Sequence, residues 1–276
     1  MPDLSSLLIL LPQLLGVGAL AGTLAGLLGV GGGIVIVPVL FWLSQTPLLG
    51  VAPEVAMHFA VATSLATIIP TSISSSRAHH RKGSLDMDMF KSWAPFIFIG
   101  SLLGGLIAIR VDASILTGVF GVIAVLVTLN MLNPRPFTLA KSPPQTLLGR
   151  GGIAIPIGGF SATMGIGGGT LSVPALTLMS FPVHRAVGTA ALFGLAIAIP
   201  GVISFALAGQ QIPGLLPGSI GYINVPAAIA ISIATFFFAP VGVKIAHKLN
   251  PRGLRLVFAL FLGISAMKML YEALLA

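Results

Sequence analysis

The sequence predicts an all-α integral membrane protein built from two inverted-topology repeats of about five segments each, with a glycine-broken short or re-entrant helix in each repeat. Three observations carry this prediction. The chain is 56% hydrophobic and 7% charged, with a mean hydropathy of +1.06, where a soluble domain carries roughly 25% charged residues. The motif Gly29-Val-Gly-Gly-Gly33, followed by Pro38, returns 136 positions later as Gly165-Ile-Gly-Gly-Gly169 and Pro174. Twelve of the fourteen lysines and arginines fall on one face once the apolar segments are drawn.

Taken in order, five apolar segments fill the first half at about 7–29, 33–44, 54–76, 92–110 and 113–132. Five more fill the second at about 151–166, 169–180, 184–208, 221–243 and 254–273. Residues 1–132 then form a first membrane repeat, the Pro- and Lys/Arg-rich stretch 133–150 a cytoplasmic linker, and 151–276 a second repeat. Most segments reach the roughly 20 residues a helix needs to cross a bilayer. The first begins behind Asp3 with no Lys or Arg ahead of it, so it is expected to belong to the first repeat and not to a cleaved signal peptide. Its Gly18, Gly22 and Gly26 form a small-residue ladder suited to packing a neighbouring helix. The segments after each triple glycine hold only about a dozen residues. At about 1.5 Å per residue they cover little more than half of a hydrocarbon core, and Pro38 and Pro174 each remove a helix donor or kink the segment. The third segment carries His58-Phe-Ala-Val-Ala-Thr-Ser64 and the eighth His184-Arg-Ala-Val-Gly-Thr-Ala190; Ile69-Pro70 is answered by Ile199-Pro200.

Charge sets the orientation. Arg77, Arg81, Lys82 and Lys91, then Arg135, Lys141 and Arg150, then Arg185, then Lys244, Lys248, Arg252 and Arg255 share one face, leaving Arg110 and Lys268 on the other. Lys/Arg-rich loops stay cytoplasmic, which puts both termini outside, in the periplasm of a bacterial inner membrane. The loop at 209–220 corresponds to the basic loop at 77–91 but has no charge. It belongs on the opposite side, so the halves are inverted.

The candidate site follows from the duplicated glycines. A helix that starts inside the membrane at Gly31, Gly32 and Gly33, or at Gly167, Gly168, Gly169 and Thr170, points unpaired N–H groups and a positive dipole end at its surroundings. Such ends suit small anions, and two in corresponding places mark a transporter's binding site. Close helix packing is the other reading of these glycines. Thr63, Ser64 and the matched Thr189 offer hydroxyl donors, with Thr67 and Thr71 continuing the stripe at helical spacing; the alternative is that they bond back to their own helix carbonyls. His58 and His184 are duplicated ionisable residues in membrane segments and stand where each helix begins, as entrances. Arg185 has Phe59 as its counterpart and reads either as an asymmetric charge at the site or as a cytoplasmic anchor.

Other chemistry is not signalled. The chain has no cysteine, the glycine motifs lack the third glycine of a dinucleotide fingerprint, and there is no phosphate-binding loop. All six acids (Asp3, Glu54, Asp86, Asp88, Asp112 and Glu272) fall near loops or segment ends. No nucleophile, metal set or acid/base pair stands out. Neither an enzyme, a cofactor, a resident metal nor a nucleic-acid partner is expected; the expected partners are a small anion and the lipid bilayer.

At these residues the chain resembles the TauE/SafE family of sulfite exporters. The carrying features are the duplicated Gly-x-Gly-Gly-Gly-x(4)-Pro, Ala60-Val-Ala-Thr-Ser-Leu65 with the basic loop and Gly83-Ser-Leu-Asp86 behind it, and Ala186-Val-Gly-Thr189. The resemblance implies a membrane permease with two related halves that moves sulfite or a small organosulfonate such as sulfoacetate, usually outward, by alternating access around a midplane anion site. Ala190 stands where the first half has Ser64, so the second half is expected to contribute less to binding. An anion channel and an importer of another anion such as a carboxylate are the other transport readings, a membrane enzyme or assembly factor the non-transport one. Sodium or proton coupling, through His58 or His184, is left open by the sequence.

Overall fold

The computed structural model describes residues 4–29, 31–46, 49–133, 139–208, 218–246 and 251–275. Asp3, Val30 of the first glycine motif, Arg135, Lys248 and 209–217 of the uncharged loop lie outside them. In chain order the elements are α1 (Leu4–Leu28), α2 (Gly33–Ser44), α3 (Pro53–Arg81), α4 (Met87–Ala108), α5 (Ala113–Leu132), α6 (Leu147–Thr163), α7 (Gly168–Leu178) and α8 (Val183–Ala208). They are followed by β1 (Ser219–Ile220), β2 (Ile223–Asn224), α9 (Val225–Ala246) and α10 (Pro251–Leu275).

The ten helices fall on the ten predicted segments, and two kinds of boundary shift have physical causes. First, α4 and α6 start earlier than their apolar runs because Asp86 and Thr146 cap them: Asp86 accepts from Met89 N and Thr146 from Gly149 N. A capped first turn can be polar without ceasing to be helix. Second, the expectation of an all-α chain needs a small correction. Residues 218–224 form a two-stranded antiparallel hairpin with Ile220 opposite Ile223 and Ser219 opposite Asn224, where a helical start at 221 had been predicted. Its turn uses Gly221, and the hairpin hands the chain directly to α9.

Among the described residues, six stretches are long and apolar enough to cross a bilayer: 10–28, 53–81, 87–108, 113–132, 183–208 and 225–245. The molecule is a multi-pass membrane protein. Its centre is the pair α3 and α8, whose most apolar windows are 78% and 61% buried, against 33% for α4 and α5. The outer helices turn Phe98, Ile107, Leu126, Phe237 and Ile264 outward, as a lipid-facing surface requires.

Packing repeats when each helix of the first half is exchanged for its counterpart in the second. α1 packs on α9 and α6 on α4; α3 packs on α9 and α8 on α4; α2 lies on α3 and α7 on α8. The halves therefore interlock. Small residues make the close contacts. A methyl group added at Gly18 would lie 2.7 Å from Ile231 O, and at Gly22 2.6 Å from Thr235 Cα. On the matching α4–α6 seam, a methyl at Gly104 would lie 2.7 Å from Gly159 Cα. The predicted ladder on α1 is a packing surface. The two central helices run antiparallel, since Gly194 meets Ser72 and Gly201 meets Leu65.

Candidate functional site

Both duplicated glycine motifs are turns into a short helix, and the two turns touch. α1 ends at Leu28 and α2 begins at Gly33; α6 ends at Thr163 and α7 begins at Gly168. The chain leaves the first helix through Gly29 at φ +67° and the second through Gly165 at φ +64°, a left-handed backbone that favours glycine. Gly29 rests against Val187 of α8, and Gly165 rests against Val61 of α3, positions that match in the duplicated sequence. Between them, a methyl at Gly31 would lie 2.6 Å from Gly167 Cα, and one at Gly33 would lie 2.9 Å from Ile166 Cα and 3.0 Å from Ser64 Oγ. The first turns of α2 and α7 thus meet in a buried junction.

The two turns are not identical. Gly32 caps α2 with φ +77°, whereas Gly167 caps α7 with φ −76° and ψ 173°. Ser64 Oγ donates to Gly165 O at 2.8 Å and ties α3 to the second turn; its counterpart Ala190 has no hydroxyl with which to tie α8 to the first. Gly168 is held closely against α8, where a methyl would lie 2.7 Å from Gly194 N and 2.8 Å from Phe193 Cβ. Close packing is therefore part of what these glycines do. Gly169 and Thr170 are buried on the same first turn of α7, and Thr170 Oγ1 has no hydrogen-bond partner.

Thr63 and Thr189 are fully buried, and each holds the start of another helix. Asn224 N–H donates to Thr63 Oγ1 at 3.1 Å, and Asp86 N–H donates to Thr189 Oγ1 at 2.9 Å. The side chains of those two residues then cap α9 and α4: Asn224 Oδ1 accepts from Ala227 N at 3.0 Å and Asp86 Oδ1 from Met89 N at 2.9 Å. This acceptor role of the threonines, toward an N–H far along the chain, is one that neither reading of them had named. Thr67 does bond back, donating to Ser64 O at 2.7 Å, and Thr71 Oγ1 lies 2.6 Å from Thr67 O. Asp86 and Asn224 were not singled out as a pair. A signal was there: Gly83-Ser-Leu-Asp86 is answered by Gly221-Tyr-Ile-Asn224 in front of the corresponding helices, and Asp or Asn before an apolar run is a helix start.

The duplicated histidines each stand three residues before Val61 and Val187, the residues that Gly165 and Gly29 touch. Because α3 and α8 are antiparallel, His58 and His184 stand at opposite ends of the central pair. His58 Nε2 lies 3.1 Å from Ala108 O and 3.0 Å from Val111 O. Carbonyls only accept, so this nitrogen carries the proton. The ring stacks on Tyr222 with centroids 5.0 Å apart, and His58 thus braces the end of α4 against the hairpin. His184 is exposed on the first turn of α8. Next to it, Arg185 forms an ion pair with the Asp86 carboxylate and sits 5.4 Å from the Phe181 ring centroid. A cavity of about 370 Å³ opens beside this pair, and an apolar groove of about 980 Å³ lies between α5, α7 and α10. Among the described residues, no group of three or more His, Asp or Glu converges as a metal site.

Comparison with known proteins agrees with an arrangement made for transport and not for catalysis. Residues 14–269 match the family model described as "Sulfite exporter TauE/SafE". A probable membrane transporter protein of Haemophilus influenzae is 36% identical over 257 residues, covering 92% of this chain and 95% of that one. A probable membrane transporter protein of Methanocaldococcus jannaschii is 30% identical over 275 residues, covering 95% and 96%. Bacillus subtilis has one that is 28% identical over 278 residues, covering 92% and 95%. No solved structure matches the chain.

Proposed function

The chain belongs to the sulfite exporter TauE/SafE family of membrane transporters, and from that premise we propose that it exports sulfite or a small organosulfonate through the junction of its two glycine turns. The observation that carries the reading is the contact between them, Gly31 against Gly167 and Gly33 against Ile166. Two helix starts, those of α2 and α7, bring their first N–H groups to one buried place. Such groups have no partner within their own helix, and they favour negative charge. Ser64, whose hydroxyl donates to Gly165 O, ties the second of these starts to α3. No carboxylate is needed there, and none of the acids in the sequence falls near these motifs.

In this reading the two halves are inverted repeats and α1–α2 and α6–α7 are helices broken by glycine. Antiparallel α3 and α8, and packing that repeats on exchange of the halves, support it. Such repeats suit alternating access around a fixed central site. The basic loops lie in the cytoplasm of a bacterial inner membrane, with both termini in the periplasm. A cytoplasm negative by 100 mV favours outward movement of one negative charge by about 2.3 kcal/mol, so export of a sulfite-like anion needs no coupling ion.

Thermal stability of the purified protein in detergent, with sulfite, sulfoacetate, sulfate, acetate or sodium added, tests the site. The expected outcome is stabilisation by sulfite or sulfoacetate that weakens in Ser64→Ala. Stabilisation by acetate alone would keep a transporter and discard the sulfur substrate. Stabilisation by no anion at all would remove the anion site.

A further inference from the structure

The cavity of about 370 Å³ is walled by Asp86, Asp88, Ser92, Trp93, Arg150 and Arg185, residues of α4, of the start of α6 and of the start of α8. By the distribution of basic residues this is the cytoplasmic face. A water occupies about 30 Å³, so the space takes a small oxyanion together with part of its hydration shell.

Within it the Asp86–Arg185 pair has one fixed and one free partner. The Asp86 side chain is 11% exposed and that of Arg185 is 53% exposed. Asp86 is held at three points besides Arg185: its Oδ1 by Met89 N–H, its own N–H by Thr189 Oγ1, and its chain by Ser84, whose backbone packs against Gly188. The guanidinium is held by a single carboxylate oxygen and a ring face. An anion that arrives from solution therefore meets a guanidinium it can take over. A planar guanidinium binds carboxylate and other oxyanions in the same fork geometry. The counterpart end of the molecule has no such device, since Asn224 and Phe59 stand where Asp86 and Arg185 do. The pair is also connected inward. One residue beyond Thr189, the α8 backbone at Ala190, with Phe193 and Gly194, holds Gly168, the first residue of α7.

We propose that this cavity is the loading vestibule for the transported oxyanion, a sulfite or sulfonate group, which enters by replacing the Asp86 carboxylate on Arg185. Freed of its ion pair, the Asp86 end of α4 keeps three ties to α8: Thr189, the Ser84–Gly188 contact and the packing of Phe90 on Phe193. Binding at the vestibule thereby removes one tie between α4 and α8, the helix that holds Gly168 at the start of α7. The assignment rests on the anion-transport reading.

The chain has no cysteine, so Ser92→Cys places one thiol in the vestibule wall. In the full-length variant in detergent, alkylation by iodoacetamide is followed with and without sulfoacetate, with sodium chloride at equal ionic strength as control. Sulfoacetate at about four times its dissociation constant is expected to slow alkylation about fivefold. Arg185→Gln in the same background is expected to abolish the protection, Arg185→Lys to keep part of it, and Asp86→Asn to shift it to lower sulfoacetate concentration. An unchanged or faster rate with sulfoacetate, or protection that survives Arg185→Gln in a monodisperse sample, would overturn the vestibule. Sulfoacetate flux in vesicles reports separately on transport. Flux without protection leaves the transporter and removes the vestibule, whereas protection without flux does the reverse.

Discussion

The start of α4 and the start of α9 are the same construction at opposite ends of the molecule, and they differ in charge. At α4, Thr189 accepts the backbone N–H of Asp86, whose carboxylate caps the helix and pairs with Arg185 beside a cavity. At α9, Thr63 accepts the backbone N–H of Asn224, whose amide oxygen caps the helix, and His58 stacks on Tyr222 nearby. The backbone solution is duplicated because the N–H ahead of each helix is buried or part-buried, where leaving it unpaired is costly. Side-chain chemistry has diverged. One end is charged and half exposed at Arg185; the other is neutral and buried at Asn224. A shared backbone construction need not make a shared device, and the charged end is where an anion has a cation to meet.

Breaking what both ends share has the largest expected effect. Gly31→Val puts a side chain at φ +75° and against Gly167 Cα, and strain plus overpacking cost on the order of 3 kcal/mol or more. The yield of monodisperse protein should collapse; a normal yield would mean that the turns do not need to touch. Next comes Asn224→Asp, which gives the neutral end the charge of the other without its arginine. A buried carboxylate lacking a cation should cost roughly 2 kcal/mol, read as a lowered thermal midpoint, and an unchanged midpoint would show that the Asn224 end is more solvated than its burial implies.

Thr63→Val leaves the Asn224 N–H unpaired in a buried place, for about 1–3 kcal/mol. Thr189→Val should cost less, because the Asp86 N–H is only part-buried. Equal midpoints for the two variants would erase the distinction between the ends. The smallest effect belongs to Asp86→Asn, which keeps the cap and loses only a pair whose arginine is half exposed. Its thermal midpoint should move by less than about 1 kcal/mol equivalent, and a larger drop would make the pair a structural element instead of a releasable one.

Much of this was legible in the sequence, for a physical reason. Apolar runs and glycine breaks are local, so α2 and α5 lie at their predicted bounds, and the ladder of Gly18, Gly22 and Gly26 meets a helix as expected. What was hidden depends on partners far along the chain. Thr63 and Asn224 are 161 positions apart, and Thr189 and Asp86 are 103 apart, so helical spacing alone could only suggest that the threonines face a ligand or their own carbonyls. The carbonyl partners of His58, Ala108 and Val111, were hidden in the same way, at the end of another helix and just beyond it. The hairpin at 218–224 is too short to leave a period-two pattern. Arg185 was weighed as a site charge or an anchor, but its ion pair with Asp86 needs the fold to become visible.

The proposed function requires that the joined glycine turns carry an anion from one side to the other. Sulfoacetate efflux from proteoliposomes, measured against internal concentration with and without sulfoacetate outside, tests it most directly. A carrier of this kind should give a saturable flux that accelerates when the outer side also holds sulfoacetate. A flux linear in concentration and indifferent to the outer side would make the protein a channel, and no flux of sulfoacetate or sulfite would contradict the claim outright.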